Sequence, residues 1–234
     1  MSLYLLLNIA VISIPLLFSF HKRIRFDLEW KYFIPAMLIT ASVFIFGDFY
    51  FTKDGIWGFN ERYLSGIKFL NLPLEEVLFF ICIPYACVFT YHVIRKKINQ
   101  QNPSFIIYIS LFLIIFLFML AIKNSEKKYT VFACISSGTI LLFSMLFTPS
   151  ILKSFYISFL TLLIPFTIVN GILTGTGIES EVVWYNNTEN LGIRVWTIPV
   201  EDFAYALSMI LTNVFLMECF KKENSGLPKI FRTR

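Results

Sequence analysis

Charge is scarce in this chain. Asp, Glu, Lys and Arg make up 15% of its 234 residues, and hydrophobic types make up 57%. A soluble domain carries about 25% charged residues, so an ordinary soluble globule is excluded. Histidine occurs only at 21 and 92, and the four cysteines (Cys82, Cys87, Cys134 and Cys219) form no C-x-x-C pair. A His/Cys metal centre or a redox pair therefore lacks its ligands, and the cysteines read as small packing residues. No G-x-G-x-x-G, no P-loop and no Asp-rich diphosphate-binding motif occurs. Nucleotide, redox and metal chemistry lack support in the sequence, and no cofactor is expected.

What the chain has is length of apolar run. Residues 3–20, 33–51, 74–94, 105–122, 131–147, 151–173 and 200–220 each approach the length needed to cross a bilayer. The reading is an all-α integral membrane protein of about seven transmembrane helices. The fifth run is diluted by Ser136, Ser137, Gly138 and Ser144, and Pro149 separates it from the sixth. The first run has its basic cluster behind it and no small-residue cleavage site, so it reads as a helix of the mature protein. The loops with Lys22, Arg23, Arg25 and Lys31, with Arg95, Lys96 and Lys97, with Lys153, and with Lys221, Lys222, Lys229, Arg232 and Arg234 hold most of the basic residues. That face is expected to be cytoplasmic, with the N-terminus outside and the C-terminus inside. Topology thus accounts for the formal charge of +5, and no nucleic-acid partner is called for. The sequon at Asn186-Asn187-Thr188 is a weak motif.

Two stretches stand out. Residues 72–80 read LPLEEVLFF and residues 198–206 read IPVEDFAYA. At their offset of 126, Asn60 meets Asn186, Gly66 meets Gly192, Lys68 meets Arg194, Glu75 meets Glu201 and Glu76 meets Asp202. Apolar drift would not align polar residues, so the chain reads as an internal repeat. Two three-helix repeats, 1–97 and 128–222, are expected, with a connecting helix in 98–127 and a basic cytoplasmic tail, 223–234. An odd connector inserts both copies in the same sense, which sets both acid pairs at one membrane face.

Pro73 and Pro199 suit the first turn of a helix, and acids suit the positions behind them. One such pair alone is an ordinary helix start. Two pairs at one face, with Asp48 and Asn170 at similar depth, point to a shared buried pocket, since intramembrane ionisable groups face the bundle interior and have partners. Arg194 is the candidate counter-ion, with Lys68 as its mate. Clustered carboxyls in a dry site cannot all ionise, and a protonated acid beside an ionised one is an acid–base pair. With aromatic walls to stabilise a cation, the set suits proton transfer to an apolar, membrane-dissolved molecule.

The segments GIWGFNERYLSGIKFLNLPLEEVLFF and VVWYNNTENLGIRVWTIPVEDFAYAL resemble the flavin-independent lycopene cyclases, in their tandem single-chain form. The resemblance covers both repeats. It implies that a carboxylic acid protonates the terminal double bond of a linear carotenoid, that the cation closes a six-membered ring, and that proton loss fixes the product, usually a β-ring, with no net redox. It maps catalysis to Glu75, Glu76, Glu201 and Asp202, with Pro73 and Pro199 as positioning residues. Asp48, Asn170 and Arg194 are added from depth and charge. The implied partners are a lipophilic carotenoid and membrane lipids, with no obligate protein partner. The implied location is the bacterial cytoplasmic (inner) membrane. The alternative is a proton- or cation-coupled transporter, against which stand helices with little Gly/Pro interruption mid-span.

Overall fold

In the computed structural model, residues 2–99 and 104–224 are described; most of the basic tail lies outside them. Seven helices follow in order: α1 (Leu3–Ser19), α2 (Trp30–Lys53), α3 (Leu74–Lys97), α4 (Ser104–Lys123), α5 (Lys128–Phe147), α6 (Leu152–Leu173) and α7 (Val200–Asn224). Each coincides with one of the apolar runs. From α2 onward all six are long and apolar enough to cross a membrane, and α1 is a shorter apolar helix of 17 residues. The fold is all-α and of membrane type. Its exterior is greasy: Phe112, Met119 and Ile122 of α4 are more than half exposed. Asp48, Glu75, Glu76, Glu201 and Asp202 are all buried. This inversion is what a hydrocarbon solvent selects.

Prolines are more frequent mid-helix than the sequence reading allowed. Pro15, Pro35, Pro84 and Pro165 lie inside α1, α2, α3 and α6. Neighbouring helices and hydroxyls can compensate in a membrane. The scarcity of such interruptions therefore no longer argues against transport.

Helix α1 packs on α3 and α5 on α7; α2 packs on α7 and α6 on α3; α3 also meets α7, and α4 lies against α5. The connections at the acid end carry short strands that the apolar runs gave no sign of. Strand β1 (Trp57–Phe59) pairs antiparallel with β4 (Val183–Tyr185), with Gly58 opposite Trp184 at its centre. Beyond the strands, the Asn60 amide donates to the Val182 carbonyl at 2.9 Å, and the Asn186 amide donates to the Ile56 carbonyl at 2.8 Å. Each bond is the other moved by 126 positions with its ends exchanged. Two hairpins, β2 (Lys68–Phe69) with β3 (Leu72–Pro73) and β5 (Arg194–Val195) with β6 (Ile198–Pro199), then lead into α3 and α7. Each turns through a non-glycine residue in the left-handed region, Leu70 at φ 55° and Trp196 at φ 57°.

At the opposite end of the bundle, Arg95 of α3 meets Glu218 of α7 at 2.7 Å, and Lys221 bridges Glu218 and Glu29. This network ties α3, α7 and the turn before α2 together.

Candidate active site

The hairpins decide where the acids go. Pro73 does not occupy the first helical turn: the chain there is still extended (φ −59°, ψ 145°), and α3 begins at Leu74. Pro199 likewise closes β6, and α7 begins at Val200. The ring cannot donate a ladder hydrogen bond, but it sits at the strand end, where none is needed. The acids are then the second and third residues of their helices. Neighbouring residues on a helix point about 100° apart, so one acid of each pair turns inward and the other outward.

Glu75 and Glu201 turn toward the connections. The Glu75 Oε1 accepts from the Ser65 amide at 2.6 Å and the Ser2 hydroxyl at 2.7 Å. The Glu201 Oε1 accepts from the Leu191 amide and the Thr130 hydroxyl, both at 2.7 Å. Each fastens the loop ahead of its hairpin to the head of its own helix and to the neighbouring helix, α1 or α5. Neither lines the cavity.

Glu76 and Asp202 turn inward, into a cavity of about 320 Å³ that they line together with Asp48 and Asn170. Tyr4, at the head of α1, donates to Glu76 Oε2 at 2.6 Å. The Trp57 indole donates to Asp48 Oδ1, and Asp48 Oδ2 is buried with no partner among the described residues. Asp202 is better supplied. Tyr129, at the head of α5, donates to Oδ1, while Asn170 and Tyr185 donate to Oδ2 at 2.7 Å and 3.2 Å. Burial, with the Asp202 charge beside it, holds the Tyr185 phenol well above its usual pKa, so it stays a donor. The remaining walls are apolar and aromatic, with Phe79, Tyr205 and Met209 among them. Tyr205 packs edge-on against Phe44 and Trp57. Trp57 and Tyr129 likewise meet edge to face, with centroids 5.0 Å apart.

Among the described residues, no lysine, arginine or histidine lines the cavity. Arg194 lies in its hairpin, donating to the Thr197 carbonyl and to Asn187. Its guanidinium stands over the ring of Tyr185, 5.8 Å from the centroid, so it reaches the acids only through that ring. Lys68 pairs with Glu61 at 2.9 Å. The buried carboxyls are thus served by phenol, indole and amide donors rather than by cations. Of the nine residues singled out in the sequence, the cavity gathers Glu76, Asp202, Asp48 and Asn170 and leaves Glu75, Glu201, Arg194, Pro73 and Pro199 in the surrounding frame. Tyr4, Trp57, Tyr129 and Tyr185 escaped notice as donors because rings are ordinary packing in a membrane protein. Their one sequence signal is position: two tyrosines stand at the heads of apolar runs, at the acid end.

Acids and aromatics thus stand together at the head of an apolar cavity in a bundle of membrane type. The family model described as lycopene cyclase matches residues 1–94 and 126–220. The chain belongs to the lycopene cyclase family. A bifunctional lycopene cyclase/phytoene synthase of Neurospora crassa is 28% identical over 78 residues, which cover 30% of this chain and 13% of the relative. The matched stretch is therefore a small part of the relative's length. No solved structure matches the chain.

Proposed function

We propose that this protein closes the ψ-end groups of a linear carotenoid such as lycopene into β-rings, by proton addition and proton loss within the cavity. Family membership supports carotenoid cyclisation. The observation that carries the mechanism is the unequal supply of hydrogen-bond donors to three carboxyls in one apolar-walled cavity. Asp202 accepts three donated hydrogen bonds and is satisfied as an anion. Glu76 and Asp48 accept one each, which leaves room for a proton of their own. Glu76, with Asp48 beside it, delivers a proton to the terminal double bond. The neighbouring alkene attacks the cation and closes the ring. Asp202 steadies the cation and takes up the proton that leaves. One proton enters and one departs, so the product is an isomer of the substrate and no redox partner is consumed.

In this reading the halves 1–97 and 128–222 are repeats. The exchanged hydrogen bonds between β1 and β4 and the paired hairpins support that division. The acid end faces outward and the basic end faces the cytoplasm of a bacterial inner membrane, in keeping with the basic loops. Glu75 and Glu201 act as positioning residues, since they hold the hairpins that aim Glu76 and Asp202.

The test is expression in a bacterium that accumulates lycopene, with pigments separated by chromatography. The native chain is expected to yield cyclic carotene. Asp202→Asn and Asp48→Asn chains that fold in the membrane are expected to leave lycopene linear. Linear lycopene with the folded native chain would overturn the proposal.

A further inference from the structure

The cavity has a direction. From Glu76 it follows α3 through Phe79, Ile83 and Ala86 to Thr90, a path of about 21 Å at 1.5 Å per residue. Its flanks are α1 and α6, which both pack on α3. Ala10, Ile14 and Pro165, on those flanks, line the cavity and are also exposed. The cavity therefore opens sideways, through the surface that faces hydrocarbon, and its carboxyls lie at one end of an apolar trough.

Under the proposed repeat, the counterpart of the α1/α6 cleft is the gap between α5 and α2. A groove does run there, lined by Ile39, Val43, Phe44, Phe132, Ile135 and others. It stops short of the acids. Phe51 and Phe132 meet with centroids 5.0 Å apart, Phe44 and Phe132 at 6.3 Å, and Phe44 abuts Tyr205 at 5.1 Å. Glu76, Asp48 and Asp202 line the first trough and none of them lines the second. At the offset of 126, Phe44 corresponds to Asn170 and Phe132 to Leu6. On the open side, then, the places of two sealing rings are taken by a short amide turned onto Asp202 and an aliphatic side chain 47% exposed.

We infer that the cleft between α1 and α6 is the single lateral portal through which a linear apolar chain slides from the bilayer to the acids, while Phe44, Phe51 and Phe132 shut the equivalent α2/α5 groove. The occupant is elongated and apolar because the trough is about 21 Å long and apolar-walled away from its acid head. With one portal, one end of the chain is presented at a time. A second ring then requires the chain to withdraw and return reversed. This inference rests on the proposed cyclase reading for the identity of the chain, but not for the route.

The experiment separates the two. A cysteine is added by Ala10→Cys or Ile135→Cys, the protein is put in lipid vesicles with or without lycopene, and labelling of the added position by a lipid-soluble maleimide is read by peptide mass spectrometry. Protection by lycopene at 10 and not at 135 is expected. Protection at 135 alone, at both, or at neither overturns the portal. In parallel, Ala10→Trp is expected to lower ring formation by about tenfold or more, and Ile135→Trp to leave it within about twofold; the reverse ranking also overturns it. Protection at 10 with no cyclic carotene from the native chain would keep the route and reject the cyclase reading.

Discussion

The two sides of the cavity are built on matching frames but furnished differently. On one side Asp202 receives a phenol, a second phenol and an amide. On the other, Glu76 and Asp48 receive one donor apiece, and one Asp48 oxygen receives none among the described residues. The frames agree down to the left-handed residue in each hairpin. The differences come from a few positions: Phe44 against Asn170, Asp48 against Thr174, Phe79 against Tyr205. Under the proposed mechanism, these few substitutions make one side fit to give a proton and the other fit to receive it, while the backbone frames stay alike.

Removing the receiving side altogether should have the largest effect. Asp202→Asn is expected to cut cyclisation in isolated membranes by about 10²- to 10⁴-fold, the usual worth of a positioned general base. Thinning its donors should cost less. Asn170→Ala withdraws one bond to a charged group, worth about 1.5–3 kcal/mol, so a drop of roughly ten- to a hundredfold is expected; a drop in Tyr4→Phe equal to or greater than this would contradict the assignment of the two sides. Gly58→Ala probes the frame rather than the chemistry. A Cβ there would lie 2.3 Å from the Trp184 ring, and overpacking of this kind costs about 1–3 kcal/mol, to be read as a lowered melting temperature in detergent. Glu75→Gln and Glu201→Gln should each cost about 1 kcal/mol of stability, the worth of a lost cap, with smaller losses of activity than Asp202→Asn. Smallest is Glu61. The Lys68 ammonium holds its carboxyl below the usual range, so its contribution exists above the ordinary glutamate pKa and disappears as pH falls. The melting difference between the native chain and Glu61→Gln should therefore be slight at neutral pH, begin to fade as pH falls past the ordinary glutamate pKa of about 4.3, and be lost once pH has passed the lowered folded-state pKa.

Much of this was legible in the sequence. The helices could be read because hydrocarbon demands long apolar runs, and even the serine-diluted fifth run is a helix, α5, with Ser137 turned inward to donate to the Ala204 carbonyl at 2.5 Å. The acid pairs could be read because two adjacent carboxylates before an apolar run are conspicuous. Which acid of each pair faces the cavity could not, since a rotation of about 100° is fixed by where the hairpin ends, and strands of two residues leave no periodicity. Arg194 attracted attention as a cation near acids, but its hairpin directs it to the Thr197 carbonyl. The aromatic donors were hidden by abundance, in a chain with 27 phenylalanines and 11 tyrosines.

One further consequence lies in the strand pair that joins the halves. At its midpoint one half supplies a bare glycine and the other an indole that occupies the vacated space. A side chain at position 58 would strike the indole of Trp184, so the two strands are matched as a pair: the large residue of one is admitted because the other is bare.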